Sequence, residues 1–201
     1  MLLATNNAHK AAELRAVLAP YFAEMCTLQE AGIDLDVVED GNTFAENAMK
    51  KAVETFALAA GFDAVLADDS GLCVDALGGA PGIYSARFAG VAHAVADNNS
   101  KLMEVMRDVP DGARGAHFVC SVVLLRRGLP PVCVEGICEG SILREALGSG
   151  GFGYDPYFFY PPLGKGFAEL TPHEKNEVSH RARAVQALVA VLGAESSSQY
   201  Q

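Results

Sequence analysis

The sequence predicts an α/β protein with a mixed β-sheet. Helical and strand patterns alternate at both ends of the 201-residue chain, as in folds that pack helices against a sheet. Between Ala116 and Leu143, long β-branched runs joined by the letters GLPP are typical of a β-hairpin. Half of the residues are hydrophobic, which is enough to bury a sizeable core. We therefore expect parallel and antiparallel pairing in one sheet, in two lobes.

The first elements are predicted from their boundaries. Residues 2–5 form a short apolar strand, and helical spacing of apolar residues from 8 to 18 ends before Pro20. Thr43 and Glu46 have the T-x-x-E spacing of a capping box, so a second helix begins there and runs to Gly61.

The remaining elements follow the same rules. A strand over residues 64–67 is followed at once by Asp68-Asp69-Ser70-Gly71, a Gly/Pro-rich loop over 78–90, and a helix from about 97 to 107. Proline and glutamate after Thr171 predict another helix start, and a final amphipathic helix covers about 179–192. We expect one domain over residues 1–193 and a polar, frayed tail over 194–201.

Composition excludes several classes of protein. The net charge of −10 argues against a protein that tracks a nucleic-acid backbone. The five cysteines are odd in number and form no C-x-x-C pair, so buried thiols are favoured over zinc or disulfides. No segment resembles a signal peptide or a membrane span, and we expect a soluble cytoplasmic protein.

The stretch GSGGFGYDPYFF contains Gly148-x-Gly150-x-x-Gly153, the glycine spacing of a dinucleotide-binding turn. Such a turn opens a helix, but Pro156 and the surrounding aromatic residues favour a strand or a pocket wall. We reject the dinucleotide interpretation. We expect the glycines to let the backbone pass close to a ligand, with Phe152 offering a ring face for stacking.

Two clusters lie next to predicted strands. Thr5 to Lys10 presents backbone N–H groups and a lysine at a helix start, which suits a phosphate; the alternative is that Asn6 or Asn7 only caps the helix. At ADDSG, adjacent side chains on a strand end point to opposite faces. One of Asp68 and Asp69 would then face a ligand while the other braces loops, although a turn or cap is an open alternative.

Two further clusters are charged. Glu39 and Asp40 precede the capped helix, and carboxylates from separated loops suit Mg²⁺, unless this is a solvated acidic turn. Lys175, His180 and Arg181 stand near the start of the last helix, where cations oppose the helix dipole. That mismatch favours a functional role, although a lone histidine is more often structural.

With these clusters in order, the sequence closely resembles the inosine triphosphate pyrophosphatase family, the dITP/XTP pyrophosphatases that cleave nonstandard purine triphosphates. The matching segments span essentially the whole chain: Thr5-x-Asn7-x-x-Lys10, TFAENAMKKA, ADDSGLCVDALGGAPGIYSARFAG, GGFGYDPYFF and AELTPHEKNEVSHRARA. The resemblance implies an elongated central mixed sheet flanked by helices, two lobes with a cleft between them, and a homodimer. It also implies hydrolysis between the α and β phosphates with Mg²⁺ as cofactor.

The resemblance assigns residues in the same way. Asp69 would be the catalytic proton acceptor, and Glu39 and Asp69 would hold the metal. The implied substrate-binding residues are Thr5, Asn6, Asn7, Ala8, His9, Lys10, Lys51, Ser70, Phe152, Gly153, Tyr154, Asp155, Lys175, His180 and Arg181. Donors such as Arg181 or His180 at purine position 6, with Asp155 at N1, would reject adenine.

Three alternatives remain open at this stage. A related pyrophosphatase could act on other modified nucleotides, a binding module could lack catalysis, and a structural interaction protein would need none of these clusters. The presence of Asp69, Glu39 and Lys10 favours an enzyme. The chain also departs from the family pattern, with His9 where glycine is frequent and Tyr154 where some members carry tryptophan.

Overall fold

A seven-stranded mixed sheet forms the framework, in a computed structural model that describes residues 1–90 and 95–198. The strands are Leu2–Leu3 (β1), Cys26–Thr27 (β2), Ala64–Val74 (β3), Gly115–Arg126 (β4), Val132–Ile142 (β5), Phe158–Tyr160 (β6) and Lys165–Gly166 (β7). Their order is β2-β1-β3-β4-β5-β6-β7. β1 pairs in parallel with β2 and β3, whereas β6 is antiparallel to β5 and β7. The predicted mixed α/β sheet is confirmed.

Five helices flank the strands within the described residues: Ala8–Leu18 (α1), Phe44–Leu58 (α2), Val95–Val105 (α3), Pro172–Val178 (α4) and His180–Ser198 (α5). Their starts follow the sequence signals. Thr43 Oγ1 accepts a hydrogen bond from the Glu46 N–H, and Thr171 and Glu174 form a full capping box. None of the helices in the described residues is both long enough and apolar enough to cross a membrane.

Two boundaries differ from the sequence prediction by more than three residues. β3 does not end at Ala67 but continues through Asp68 and Asp69 to Val74, and α5 extends past Gly193 to Ser198. A polar Asp-Asp-Ser-Gly sequence is typical of a turn because charged residues seldom stay buried. Here they remain in the strand because each carboxylate meets a cation, as described below. Residues 199–201 of the predicted tail lie outside the described residues.

The chain divides into two compact units. Unit 1 comprises Met1–Asp69, Cys120–Gly136 and the segment from His180 onward, and unit 2 comprises Ser70–Val119 and Ile137–Ser179. In unit 1, apolar residues cover both sheet faces: one core contains Leu3, Leu14, Leu66 and Leu188, and the other contains Leu2, Val65, Ala48 and Ala52.

The core of unit 2 is aromatic. The rings of Phe118 and Phe158 have centroids 4.6 Å apart, and those of Phe158 and Phe167 are 4.8 Å apart in an edge-on arrangement. Leu102 of α3 and Tyr154 belong to the same buried cluster. Tyr154 donates a 2.8 Å hydrogen bond from its hydroxyl to the carbonyl of Ser85, which satisfies its polar end.

Candidate active site

The adjacent carboxylates of Asp68 and Asp69 lie on opposite faces of β3. Leu66, two residues before Asp68, belongs to the core that contains residues of α1 and α5. Ala67, two residues before Asp69, belongs to the core that contains residues of α2. Side chains alternate along a strand, so the two carboxylates have different neighbours. This confirms that the two side chains point to opposite faces of the strand, and the expectation that only one of them faces a given ligand stays a prediction. Together with Lys10, Glu39 and Lys51 we call them the β3 charge cluster.

Asp68 lies close to cations from two helices. Its Oδ2 atom lies 3.2 Å from Lys10 Nζ of α1 and 3.6 Å from Arg181 Nε of α5. Burial would raise the pKa of Asp68, but Lys10, Arg181 and Lys51 outweigh it and hold that pKa well below its usual range. Asp68 therefore stays ionised and braces the two helices.

Asp69 faces α2 instead. Its Oδ2 accepts a 3.1 Å hydrogen bond from Asn47 Nδ2, and its Oδ1 lies 3.6 Å from Lys51 Nζ. Burial raises the pKa of Asp69 above its usual value, against the lowering effect of Lys51 and Lys10. A carboxylate with a raised pKa is a better proton acceptor than an exposed one.

Lys51 joins Asp69 to the loop before α2. Its Nζ lies 2.8 Å from Glu39 Oε1 as well as near Asp69, and its side chain is mostly buried. Burial lowers the pKa of Lys51, but the charges of Asp68, Asp69 and Glu39 outweigh burial and raise it. One ammonium group thus draws Glu39 and Asp69 together.

The carboxylates around Lys51 fit an Mg²⁺ ion that shares its coordination with water and phosphate oxygens. They do not fit an ion that is enclosed by protein ligands alone. Glu39 and Asp69 supply carboxylate oxygens, which are the hard ligands that Mg²⁺ prefers. Within residues 1–90 and 95–198, no group of three acidic, histidine or cysteine side chains is placed to hold a metal. Two carboxylates with waters and phosphate oxygens are the usual magnesium shell.

The segment Thr5 to His9 leads from β1 into α1 and is largely exposed. Asn7 caps the helix, because its Oδ1 accepts hydrogen bonds of 3.0 and 3.1 Å from the N–H groups of His9 and Lys10. Thr5 Oγ1 accepts a third from the Asn7 N–H. Asn7 therefore caps the helix, and its role in phosphate binding stays a prediction. Lys10 is ion-paired with Asp68 and not simply solvated.

A cavity of about 620 Å³ lies beside this segment in unit 1. Thr5, Asn6, Asn7 and Ala8 line one side, and residues between Thr27 and Asp34 line the other. Asn6 Nδ2 donates a 2.8 Å hydrogen bond to the Leu35 carbonyl, which ties the segment to that loop. The predicted phosphate segment thus lines part of this cavity.

In unit 2, Phe152, Asp155 and Lys175 form a second cluster, the Phe152 cluster. Asp155 Oδ2 accepts hydrogen bonds from Lys175 Nζ at 2.5 Å and from the Phe152 N–H at 2.7 Å. Lys175 Nζ also lies 4.7 Å from the centroid of the Phe152 ring. Asp155 and Lys175 are buried, and Phe152 is half-buried. The Phe152 cluster therefore combines a lysine donor, a carboxylate acceptor and an aromatic ring face in direct contact.

The glycines of GSGGFGYDPYFF pack mainly against protein. A Cβ at Gly148 would meet the Ala168 carbonyl carbon at 2.5 Å, and one at Gly151 would meet Asp155 Oδ2 at 2.1 Å. Both glycines have positive φ angles, which side-chain-bearing residues rarely adopt. Close approach within unit 2 therefore accounts for these two glycines. Gly153, whose Cβ would meet nothing within 4 Å among the described residues, has open space beside it.

His180 and Arg181 begin α5 in unit 1, and both are buried. Arg181 contacts Glu13 through Nη1 and Asp68 through Nε. Burial lowers the pKa of Arg181, but Asp68 and Glu13 outweigh it, so the guanidinium stays charged. Two carboxylates thus explain the cation at this helix start without a ligand, and contact of either residue with substrate remains a prediction.

Sequence reasoning missed Asn47 and Glu13. Asn47 is fully buried in α2 and contacts Asp69, and Glu13 of α1 pairs with Arg181. A signal for Asn47 was available, since an asparagine stands on the apolar face of α2 four residues before Lys51, where alanines are otherwise buried. Glu13 offered no such signal because its partner lies 168 residues away.

The fold and the β3 charge cluster define a class known from other proteins. The chain belongs to the Ham1 family, whose family model matches residues 1–191. It is 48% identical over 191 residues to the dITP/XTP pyrophosphatase of Clostridium perfringens, covering 93% of this chain and 94% of that protein. It is 50% identical over 190 residues to that of Xylella fastidiosa, covering 94% of each.

Solved structures agree. The Staphylococcus aureus Ham1 protein has a TM-score of 0.82 at 37% identity, covering 96% of this chain and 98% of that one. The nucleoside-triphosphatase, or dITP/XTP pyrophosphatase, of Mycobacterium abscessus has a TM-score of 0.73 at 43% identity, covering 93% and 97%. The resemblance recognised in the sequence is confirmed.

Proposed function

We propose that this protein hydrolyses nonstandard purine nucleoside triphosphates, namely dITP, ITP and XTP, to the monophosphate and pyrophosphate. The observation that carries the proposal is the buried Asp69, held by Asn47 and Lys51 beside Glu39, in a chain 50% identical to a protein named dITP/XTP pyrophosphatase. The enzyme would remove deaminated purines before polymerases use them.

Charge is the first obstacle to this reaction. A triphosphate repels a nucleophile until its oxygens are neutralised, and Lys10 and Lys51 are fixed cations held by carboxylates. Thr5 and Asn7 would position the phosphate chain next to Lys10. When bound by Glu39 and Asp69, Mg²⁺ would supply further charge neutralisation.

Asp69 would then act as the general base. It accepts one proton from a water molecule whose oxygen forms a bond to the α-phosphorus, while the bond from that phosphorus to the α–β bridging oxygen breaks. Pyrophosphate leaves with that bridging oxygen and its electron pair.

The Phe152 cluster would select the base. Hypoxanthine and xanthine present a keto oxygen at position 6 and a protonated N1, which match a donor such as Lys175 and an acceptor such as Asp155. Adenine reverses both groups. Each buried mismatch costs about 1–3 kcal/mol, and stacking on Phe152 would add affinity without selectivity.

The test is pyrophosphate release with Mg²⁺ from dITP, ITP, XTP, GTP, ATP and UTP in parallel. We expect the first three to be turned over fastest and EDTA to abolish the reaction. Equal turnover of ATP and ITP would contradict the proposed specificity, and full activity in EDTA would contradict the magnesium requirement.

We also propose a homodimer that works in the cytoplasm, as the resemblance to the family implies. Light scattering coupled to size-exclusion chromatography measures the oligomeric state directly, and a single species of 21.2 kDa would contradict the dimer. Fractionation of source cells would test the location.

A further inference from the structure

Asn47 contacts both segments that carry the proposed metal-binding carboxylates. Its Nδ2 donates to Asp69 Oδ2 at 3.1 Å, and its Oδ1 accepts from the Gly41 N–H at 2.8 Å. Gly41 lies two residues after Glu39 in the loop before α2. Asn47 itself is fully buried in the first turns of α2, so its side chain has little freedom to leave these partners.

The chemistry of these two contacts fixes the orientation of the amide. A backbone N–H can only donate, so the atom of Asn47 that faces Gly41 must be the oxygen. The nitrogen then faces Asp69 and can only donate, which means that Asp69 Oδ2 acts as an acceptor there. The carboxylate is held by this bond with its Oδ1 toward Lys51, on the side of Glu39.

Packing at Gly41 supports the same arrangement. A Cβ on Gly41 would meet Asn47 Oδ1 at 2.7 Å and the Cβ of Glu46 at 2.9 Å, both closer than real side chains tolerate. The loop therefore approaches Asn47 closely only because position 41 is glycine. Loop, helix and strand are joined by one amide.

We infer that Asn47 is a positioning residue: it orients the Asp69 carboxylate by its Oδ2 edge and sets the spacing of Glu39 and Asp69 through the Gly41 backbone. The inference rests on the proposed function, because it assumes that these two carboxylates bind the metal. Residues that orient metal ligands in this way change metal affinity or activity by about 10- to 100-fold when replaced.

The test compares Asn47→Asp with Asn98→Asp. Asp at position 47 keeps the acceptor for Gly41 but replaces the donor to Asp69 with a carboxylate oxygen, which repels Asp69 Oδ2 from its present orientation. Asn98 is a matched control in unit 2, buried like Asn47, accepting from the Ala89 N–H at 2.7 Å and donating to the Ala86 carbonyl at 3.1 Å. It has the same bonding pattern without a catalytic carboxylate.

The measurements are kcat, the Mg²⁺ concentration for half-maximal activity, and Mn²⁺ binding without nucleotide by electron paramagnetic resonance. We expect N47D to raise the half-saturating Mg²⁺ concentration and weaken Mn²⁺ binding by about 10- to 100-fold, and N98D to change neither by more than about twofold. Unchanged metal binding in folded N47D would overturn the inference.

Two further variants keep the test decisive. Asn47→Ala removes both contacts and serves if N47D does not fold, and Gly41→Ala displaces the loop while leaving Asn47 in place. Both should weaken Mn²⁺ binding, and normal binding in either would contradict the inference. Mn²⁺ binding needs no substrate, so a wild-type protein that binds Mn²⁺ but does not hydrolyse dITP would refute the proposed function separately.

Discussion

The β3 charge cluster of unit 1 and the Phe152 cluster of unit 2 bury ionisable groups in different ways. In unit 1, carboxylates and cations alternate along a network in which Lys51 meets both Glu39 and Asp69. In unit 2, one ion pair, Asp155 with Lys175, is set among aromatic rings. A network of several charges suits a multiply charged phosphate chain, whereas an ion pair beside a ring suits an uncharged base. We therefore expect changes in unit 1 to affect all nucleotides equally and changes in unit 2 to affect their ranking.

The largest expected effects separate the adjacent aspartates of β3. Asp69→Asn removes the proposed general base, so kcat should fall by about 10²- to 10⁴-fold for every triphosphate while the fold is retained. Asp68→Asn should act mainly on stability, because it leaves the half-buried Lys10 and the buried Arg181 without their shared carboxylate, at a cost of about 3–5 kcal/mol.

The signs of their pKa shifts extend this comparison. The depressed pKa of folded Asp68 contributes stability that is present above its unfolded pKa of about 3.9 and is lost as the pH falls below it. The raised pKa of Asp69 has the opposite sign and destabilises the fold near neutral pH. Thermal unfolding in EDTA at pH 7 should therefore show a lower Tm for D68N and an equal or higher Tm for D69N. Equal losses of Tm in both variants would contradict the assigned roles.

A smaller effect is expected at the neighbouring lysines of α2. Lys51→Met leaves Glu39 and Asp69 without their common cation, and we expect kcat/KM to fall about a hundredfold for dITP and ATP alike. Lys50 is the control, because it pairs at 2.6 Å with exposed Asp40, and such surface pairs contribute about 0–1 kcal/mol. K50M should therefore stay within about twofold of the wild-type rate. A change in nucleotide ranking in K51M would contradict the division of roles between the clusters.

The smallest effect concerns base preference. Lys175→Met should reduce the preference for dITP over dATP by about 5- to 150-fold, the equivalent of one buried mismatch. Lys101→Met provides the control, because Lys101 Nζ also lies 4.7 Å from the centroid of a phenylalanine ring, that of Phe88. Unlike Lys175, Lys101 is exposed. Steady-state kinetics at a temperature where both variants are folded would measure the ratio. An unchanged ratio in K175M, with lower kcat for both nucleotides, would remove the Phe152 cluster from base selection.

Local signals made much of this fold predictable. Asn7, Thr43 and Thr171 cap helices through bonds to residues two or three positions away, so the sequence around each helix start contains the information. The end of β3 was not predictable in this way, because the cations that compensate the buried charge of Asp68, Lys10 and Arg181, are remote from it in the sequence.

In the candidate site, too, contacts between residues remote in the sequence could not be predicted. The resemblance to the family implied that Glu39 and Asp69 lie close together, and the structure places both beside Lys51, which was expected at the phosphates. The partners of Arg181 and the amide of Asn47 depend on tertiary packing, which periodicity and spacing do not encode. Substrate contacts of the predicted binding residues remain predictions.

The alternation of side chains along β3 also limits which insertions and deletions this strand can tolerate. Deleting or inserting one codon between Ala64 and Asp68 would exchange the faces of the two aspartates, placing Asp69, the proposed metal ligand, among the partners of Asp68. Every single-residue length change in this segment should therefore inactivate the enzyme, whereas substitutions among its apolar residues only alter packing. This segment of β3 can therefore evolve by substitution but not by a change of length. A designer who grafts the site onto another strand must keep each aspartate on the same face relative to the residues around it.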